Sequence, residues 1–69
     1  MDFTIEIEQE EDGRWIAEIL ELPGVMTYGR DVREAVAFAK ALALRVVADE
    51  LEHLERAESI SQITFAQAA

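Results

Sequence analysis

An α+β fold, one antiparallel sheet with a single long helix on one face in the order β-β-β-α-β, follows from three features of this 69-residue chain. Phe3-Thr4-Ile5-Glu6-Ile7-Glu8 alternates strictly between apolar and polar, the period of a half-buried strand. Asp12-Gly13 and Pro23-Gly24 are strong turn pairs that cut the first 29 residues into short extended segments. Arg30–Glu55 then runs without Gly or Pro and is dominated by Ala, Leu and Val, a composition suited to one long helix. A chain this short makes one domain, here residues 1–69.

The first strand spans about residues 2–9, with Phe3, Ile5 and Ile7 on its inner face. The second spans about 14–20, and the register between them can be argued. A three-residue loop at Glu11-Asp12-Gly13 sets Gln9 opposite Trp15, Ile7 opposite Ala17 and Ile5 opposite Ile19, gathering six apolar side chains on one face. A two-residue loop would pair Ile7 with Glu18, and a slip of one residue turns every side chain over. The longer loop leaves Thr4, Glu6, Glu8, Ile16, Glu18 and Leu20 on the opposite face. Glu6 then lies beside Glu18, a like-charge pair tolerable when solvated or when a basic group from elsewhere covers it.

Pro23-Gly24 ends the second strand, and Val25–Tyr28 is β-prone enough for a third, over about 25–28. Gly29 reads as a turn residue before the helix. Asp31 is placed to cap the helix and Glu34, three residues on, to reach back to the chain before it. The helix covers about 32–54, with Val32, Val36, Ala39, Ala43, Val46, Val47 and Leu54 in one stripe. Ala35, Leu42, Phe38, Leu44 and Leu51 widen the apolar arc to roughly 240°, more than one sheet covers. That excess predicts contact with another chain, and the flank Phe38, Leu44 and Leu51 is the candidate for self-association. Ile60–Phe65 has strand character with irregular apolar spacing, which leaves open a fourth strand in the same sheet or one exchanged with another copy.

Composition narrows the function. The net charge of −9 argues against direct nucleic-acid binding, which needs basic groups to displace counterions from phosphates. It suits a basic protein partner. With no cysteine and one histidine there is no disulfide framework and no zinc cluster. The helix is interrupted by Lys40 and Arg45 and is not a membrane span. The N-terminus shows no basic, apolar leader pattern, and the cytoplasm is the expected location.

No constellation for catalysis stands out. Glu10, Glu11 and Asp12 form a charged turn without the ligand spacing of a calcium loop. His53, four residues after Asp49, reads as a local Asp–His pair near the helix C-terminus. Ser59 and Ser61 have no elbow motif, and the three glycines form no phosphate loop. The expectation is a binding module, not an enzyme, with no catalytic residue, no cofactor and no metal.

One resemblance sharpens this. Trp15-Ile16-Ala17, Leu22-Pro23-Gly24, Thr27-Tyr28-Gly29 and Arg33-Glu34-Ala35, in this order and spacing, resemble the HicB-like antitoxin family over about residues 3 to 55. The resemblance implies a truncated RNase H-like fold that is not itself a nuclease, assembly into dimers or tetramers, and a role in a type II toxin–antitoxin system. The implied partner is a small basic HicA-type toxin that cleaves messenger RNA. Many members also carry a C-terminal DNA-binding domain; nothing after Phe65 matches one, and operator binding is not expected of this chain. No family motif marks the toxin contacts. Charge instead nominates the acidic sheet face (Glu6, Glu8, Glu18) with the tip Glu10, Glu11 and Asp12. The alternative expectation is an orphan oligomeric structural or ligand-binding module without a toxin.

Overall fold

The computed structural model describes residues 1–68. The elements are β1 (Asp2–Gln9), β2 (Trp15–Ile19), β3 (Met26–Gly29), α1 (Val32–Glu52) and β4 (Thr64–Gln67). They form one four-stranded sheet in the order β3-β2-β1-β4, with α1 packed on one face.

The β1–β2 register is the expected one: Gln9 pairs with Trp15, Ile7 with Ala17 and Ile5 with Ile19. The Glu10 N–H donates to Arg14 O and the Gly13 N–H to Glu10 O, closing the three-residue loop. Gly13 takes φ +92°, the left-handed position that this loop requires. The Val25 N–H donates to Leu22 O across Pro23-Gly24, with Gly24 at φ +88°. This is the type II arrangement, with Pro and Gly at its two central positions. It brings β3 back antiparallel to β2, with Ile16 opposite Tyr28 and Glu18 opposite Met26.

β4 corrects the expectation of a wholly antiparallel sheet. It lies parallel to β1, Phe3 opposite Phe65. Parity explains this. β1, β2 and β3 alternate in direction, α1 returns the chain to its starting end, and β4 must then run with β1. The strand also begins later than the expected 60–65. The side chain that fits the core face is Phe65, its ring 5.5 Å from that of Phe3. Ile60 and Ile63 pack against the core from the preceding loop. Pairing is within the chain itself: Thr64 N–H to Met1 O and Ala68 N–H to Ile5 O.

The core joins Phe3, Ile5, Ala17 and Ile19 of the sheet to Leu22 and Val25 of the turn and Ala35, Val36, Ala39, Ala43 and Val47 of the helix. Alanines on both layers let the helix lie close to the sheet. The approach is tightest at Gly29. A Cβ built there would stand 2.3 Å from the Ala35 nitrogen, so this buried glycine is a packing residue rather than the expected turn residue.

The helix ends at Glu52, short of the expected 54, and Leu54 leaves the core stripe to lie 80% exposed. At about 31 Å, α1 is nearly twice as long as the ~17 Å of β2, and it outruns the sheet. No helical residue beyond Val47 is buried. The molecule is accordingly elongated, 41 × 20 × 17 Å. Among the described residues no helix is long and apolar enough to cross a membrane.

Candidate protein-binding face

Among the described residues, no layer covers the face of the sheet away from α1. Its rows follow from the register. Tyr28, Ile16 and Glu8 lie side by side across β3, β2 and β1; Met26, Glu18 and Glu6 form the next row. Leu20 and Thr4 follow, the Leu20 N–H donating to Thr4 O. The face is therefore divided. Its β2–β3 half is mainly apolar, with Leu20, Met26 and Tyr28 exposed and Ile16 half-buried, and is interrupted by Glu18. Its β1 half is acidic.

The candidates Glu6, Glu8 and Glu18 are brought together here, and Glu6 pairs directly with Glu18. Among the described residues no ion pair offsets any of the three. Like charges opposite one another on a sheet are unfavourable. The chain thus keeps an uncompensated acidic row beside exposed apolar side chains, an arrangement that a cationic, partly apolar surface would relieve.

The tip is less uniformly acidic than the sequence implied. Glu10, Glu11, Asp12 and Arg14 line one shallow hollow at the hairpin end. The Arg14 Nε donates to Asp12 Oδ2 at 2.8 Å, and its guanidinium lies 4.4 Å from the Tyr28 ring centre. The Arg14 backbone N–H and side chain, both bonded to Asp12, hold that carboxyl below its ordinary range. Glu10 and Glu11 remain free of ion pairs among the described residues, so Asp12 is the weakest of the tip candidates. At the far end of the face, Glu21 accepts from the Thr4 N–H at 2.6 Å and the Thr4 hydroxyl at 2.7 Å. These bonds lower its pKa and extend the β1–β2 ladder past the last residue of β2.

Met26 and Tyr28 were missed as members of this face. The spacing of β3 alone does not say which of its sides faces the helix. The register of β2 against β3 could have shown it, since Ile16 and Glu18 were already placed outward.

The self-association candidates do not share one flank. Leu44 and Leu51, seven residues apart, are exposed on the same side of α1. Phe38, also exposed, lies instead near the helix start, bordering a shallow hollow with Asp31, Arg33, Glu34 and Ala37.

His53 closes the helix as its C-cap. Its Nδ1 lies 2.8 Å from the Asp49 carbonyl oxygen and 3.5 Å from Asp49 Oδ1. Among the described residues no group of three or more His, Cys, Asp or Glu side chains is arranged to hold a metal ion. No protein-family model matches the chain, and no curated protein and no solved structure matches it either.

Proposed function

We propose that this chain is a HicB-like antitoxin that occludes a small, basic, RNA-cleaving toxin with the open face of its sheet. The observation that carries the reading is the unpaired row Glu6, Glu8 and Glu18 set against exposed Leu20, Met26 and Tyr28. The ordered motifs from Trp15 to Ala35 support the choice of family.

The physical scheme is simple. A chain of net charge −9 attracts a cationic partner over long range and accelerates encounter. On contact, Tyr28 and Met26 supply apolar anchor area, and the carboxylate row takes the Lys and Arg side chains that the toxin would otherwise present to RNA phosphates. Competition for the same cations excludes the RNA. The proposal places the protein with its messenger-RNA-cleaving target, in the cytoplasm.

The test is a titration against the small basic chain encoded beside this gene. Wild-type protein should bind it and stop RNA cleavage. Glu18→Lys should lose binding and protection while folding at least as stably, because the change turns the Glu6–Glu18 pair into an attractive one. A Glu18→Lys variant that protects as well as wild type would remove the sheet face from the proposal. The absence of such a neighbouring chain would favour the second reading, an oligomeric structural module, for which the helix supplies its own observation.

A further inference from the structure

We propose that the free edge of β3 is a strand-addition site, where an extended segment of the basic partner pairs with Met26 and Tyr28 and carries the sheet one strand further. Strand addition rests on the binding function proposed above and specifies how the partner is held.

β3 forms one edge of the sheet. The Ile19 N–H donates to Val25 O, which fixes the alternation along β3. Val25, Thr27 and Gly29 turn their backbone groups towards β2, opposite Ile19, Ala17 and Trp15. Met26 and Tyr28 fall at the intervening positions, so their N–H and C=O groups point out from the sheet. Among the described residues no turn, loop or cap bond uses these four groups. Outward backbone groups on an uncovered edge are a template for another strand. Lys and Pro are common means of blunting such an edge, and β3, reading Met-Thr-Tyr-Gly, carries neither.

Side chains line both sides of this edge. On the open face Met26 is 48% and Tyr28 42% exposed. On the other side, Thr27 Oγ1 donates to Ala35 O and seats the start of α1 over β3. Lys40 Nζ lies 5.8 Å from the Phe65 ring centre, so that flank of α1 faces β4. At about 100° per residue, Phe38 and Leu42 each lie about 160° round from Lys40, on the flank above the β3 edge. Phe38 is exposed and Leu42 half-buried. A strand added about 4.8 Å beyond β3 would set alternate side chains beside Met26 and Tyr28, and the others below Phe38 and Leu42. The β4 edge has no such lining, for its exposed residues are Thr64, Ala66 and Gln67.

Charge selects the occupant. Glu18 lies directly beyond Met26 and has no ion pair among the described residues. A Lys or Arg placed opposite Met26 would lay its stem over the methionine and bring its charge to Glu18. Opposite Tyr28 the demand is different, because the Arg14 guanidinium already lies 4.4 Å from that ring centre. The segment that fits has a cation facing Met26 and an apolar or acidic residue two positions away, facing Tyr28. A second copy of this chain fits poorly: β3 offers no cation to Glu18, and two chains of net charge −9 repel.

The test titrates the small basic chain encoded beside this gene against two variants at one position. Met26→Ala and Met26→Pro both lack the methionine side chain, but only the proline lacks the outward N–H. Met26→Pro should bind at least tenfold more weakly than Met26→Ala, with circular dichroism showing both folded. Amide exchange on the wild-type chain needs no variant. The Met26 and Tyr28 N–H groups should exchange faster than those of Thr27 and Gly29 in the free protein, and slow at least a hundredfold in the complex. Phe38→Ala, on the side of the sheet that a partner seated only on the open face does not reach, should weaken binding about fivefold. Equal binding by Met26→Pro and Met26→Ala, with both amides still exchanging freely in the complex, overturns strand addition and leaves the open-face contact standing. No binding at all overturns both. Protection of the two amides in the unbound chain, rising with its concentration, gives the edge to a second copy and likewise overturns the proposal.

Discussion

The two ends of α1 are built differently. At its start, Asp31 Oδ1 accepts from the Glu34 N–H at 2.8 Å, and Glu34 Oε1 accepts from the Arg30 N–H at 3.0 Å. The reciprocal bond reaches one residue beyond the helix cap, and the Arg30 guanidinium closes onto the same carboxylate at 2.9 Å. Thr27 Oγ1 donates to Ala35 O at 2.9 Å, and Gly29 lies directly beneath Ala35. At its finish, the Glu55 N–H donates to Glu50 O and the Leu54 N–H to Leu51 O, a left-handed closure of the last turn. That closure places Leu54 at φ +60°, and Arg56, two residues on, takes φ +53°; glycine would be at ease in either place and a side chain is strained. Arg56 is tied back to Glu50 by its guanidinium. The first end is held by long-range packing and caps, the second by local bonds over an exposed surface. The buried contacts of the helix are concentrated where it has a sheet beneath it.

Four experiments sharpen that contrast, taken from the largest expected effect downward. Gly29→Ala should be the most damaging single change, about 3 kcal/mol, because the added methyl meets backbone rather than a movable side chain. In a domain of this size that is a fall of roughly 12–24 °C in Tm by calorimetry. Asp31→Ala removes the cap and should cost about 1 kcal/mol in urea unfolding, with the slope unchanged. Leu54→Gly should act in the opposite direction, raising stability by up to about 1 kcal/mol by relieving the left-handed strain, less what glycine adds to the freedom of the unfolded chain. A loss on Leu54→Gly would mean that the finish is held by its side chain and not by its backbone.

The smallest effect is a pH dependence. The Arg30 guanidinium and backbone N–H bonded to Glu34 hold its carboxyl below the ordinary glutamate value. A folded-state pKa that is depressed contributes stability fully present above the unfolded value. That contribution disappears as pH falls through the lower folded value, so the loss begins below about pH 4.5. Glu21, held down by Thr4, has the same sign and window. Both groups lie at the surface, where solvent screens the effect. Glu34→Gln should flatten the acid limb of the stability curve slightly, and an unchanged limb would show that the Arg30 contact adds nothing in solution.

The first hairpin was legible from sequence because one alternation pattern admits one register. Ile5, Ile7, Ala17 and Ile19 share a face only if the loop holds three residues. The three-strand order, the Asp31 cap and most of the helix stripe were legible for similar reasons, since each depends on spacing within a few residues. The acidic half of the open face could also be read, because Glu6, Glu8 and Glu18 belong to that same hairpin. Its apolar half was hidden in β3, whose outward residues depend on a second register. Phe38 was grouped with Leu44 and Leu51 by apolarity, although the helix turn sets it elsewhere.

What the sequence determines alone is therefore local: the strand period, the turn glycines Gly13 and Gly24, the helix and its cap, and the net charge of −9. The tertiary structure decided the rest. It set β4 parallel to β1, turned Gly29 from a turn residue into a contact residue, freed Leu54 from the core, and put Met26 and Tyr28 beside the carboxylate row. These depend on which distant segments meet, and on the ~31 Å helix being longer than the sheet beneath it. Neither is written in the spacing of neighbouring residues.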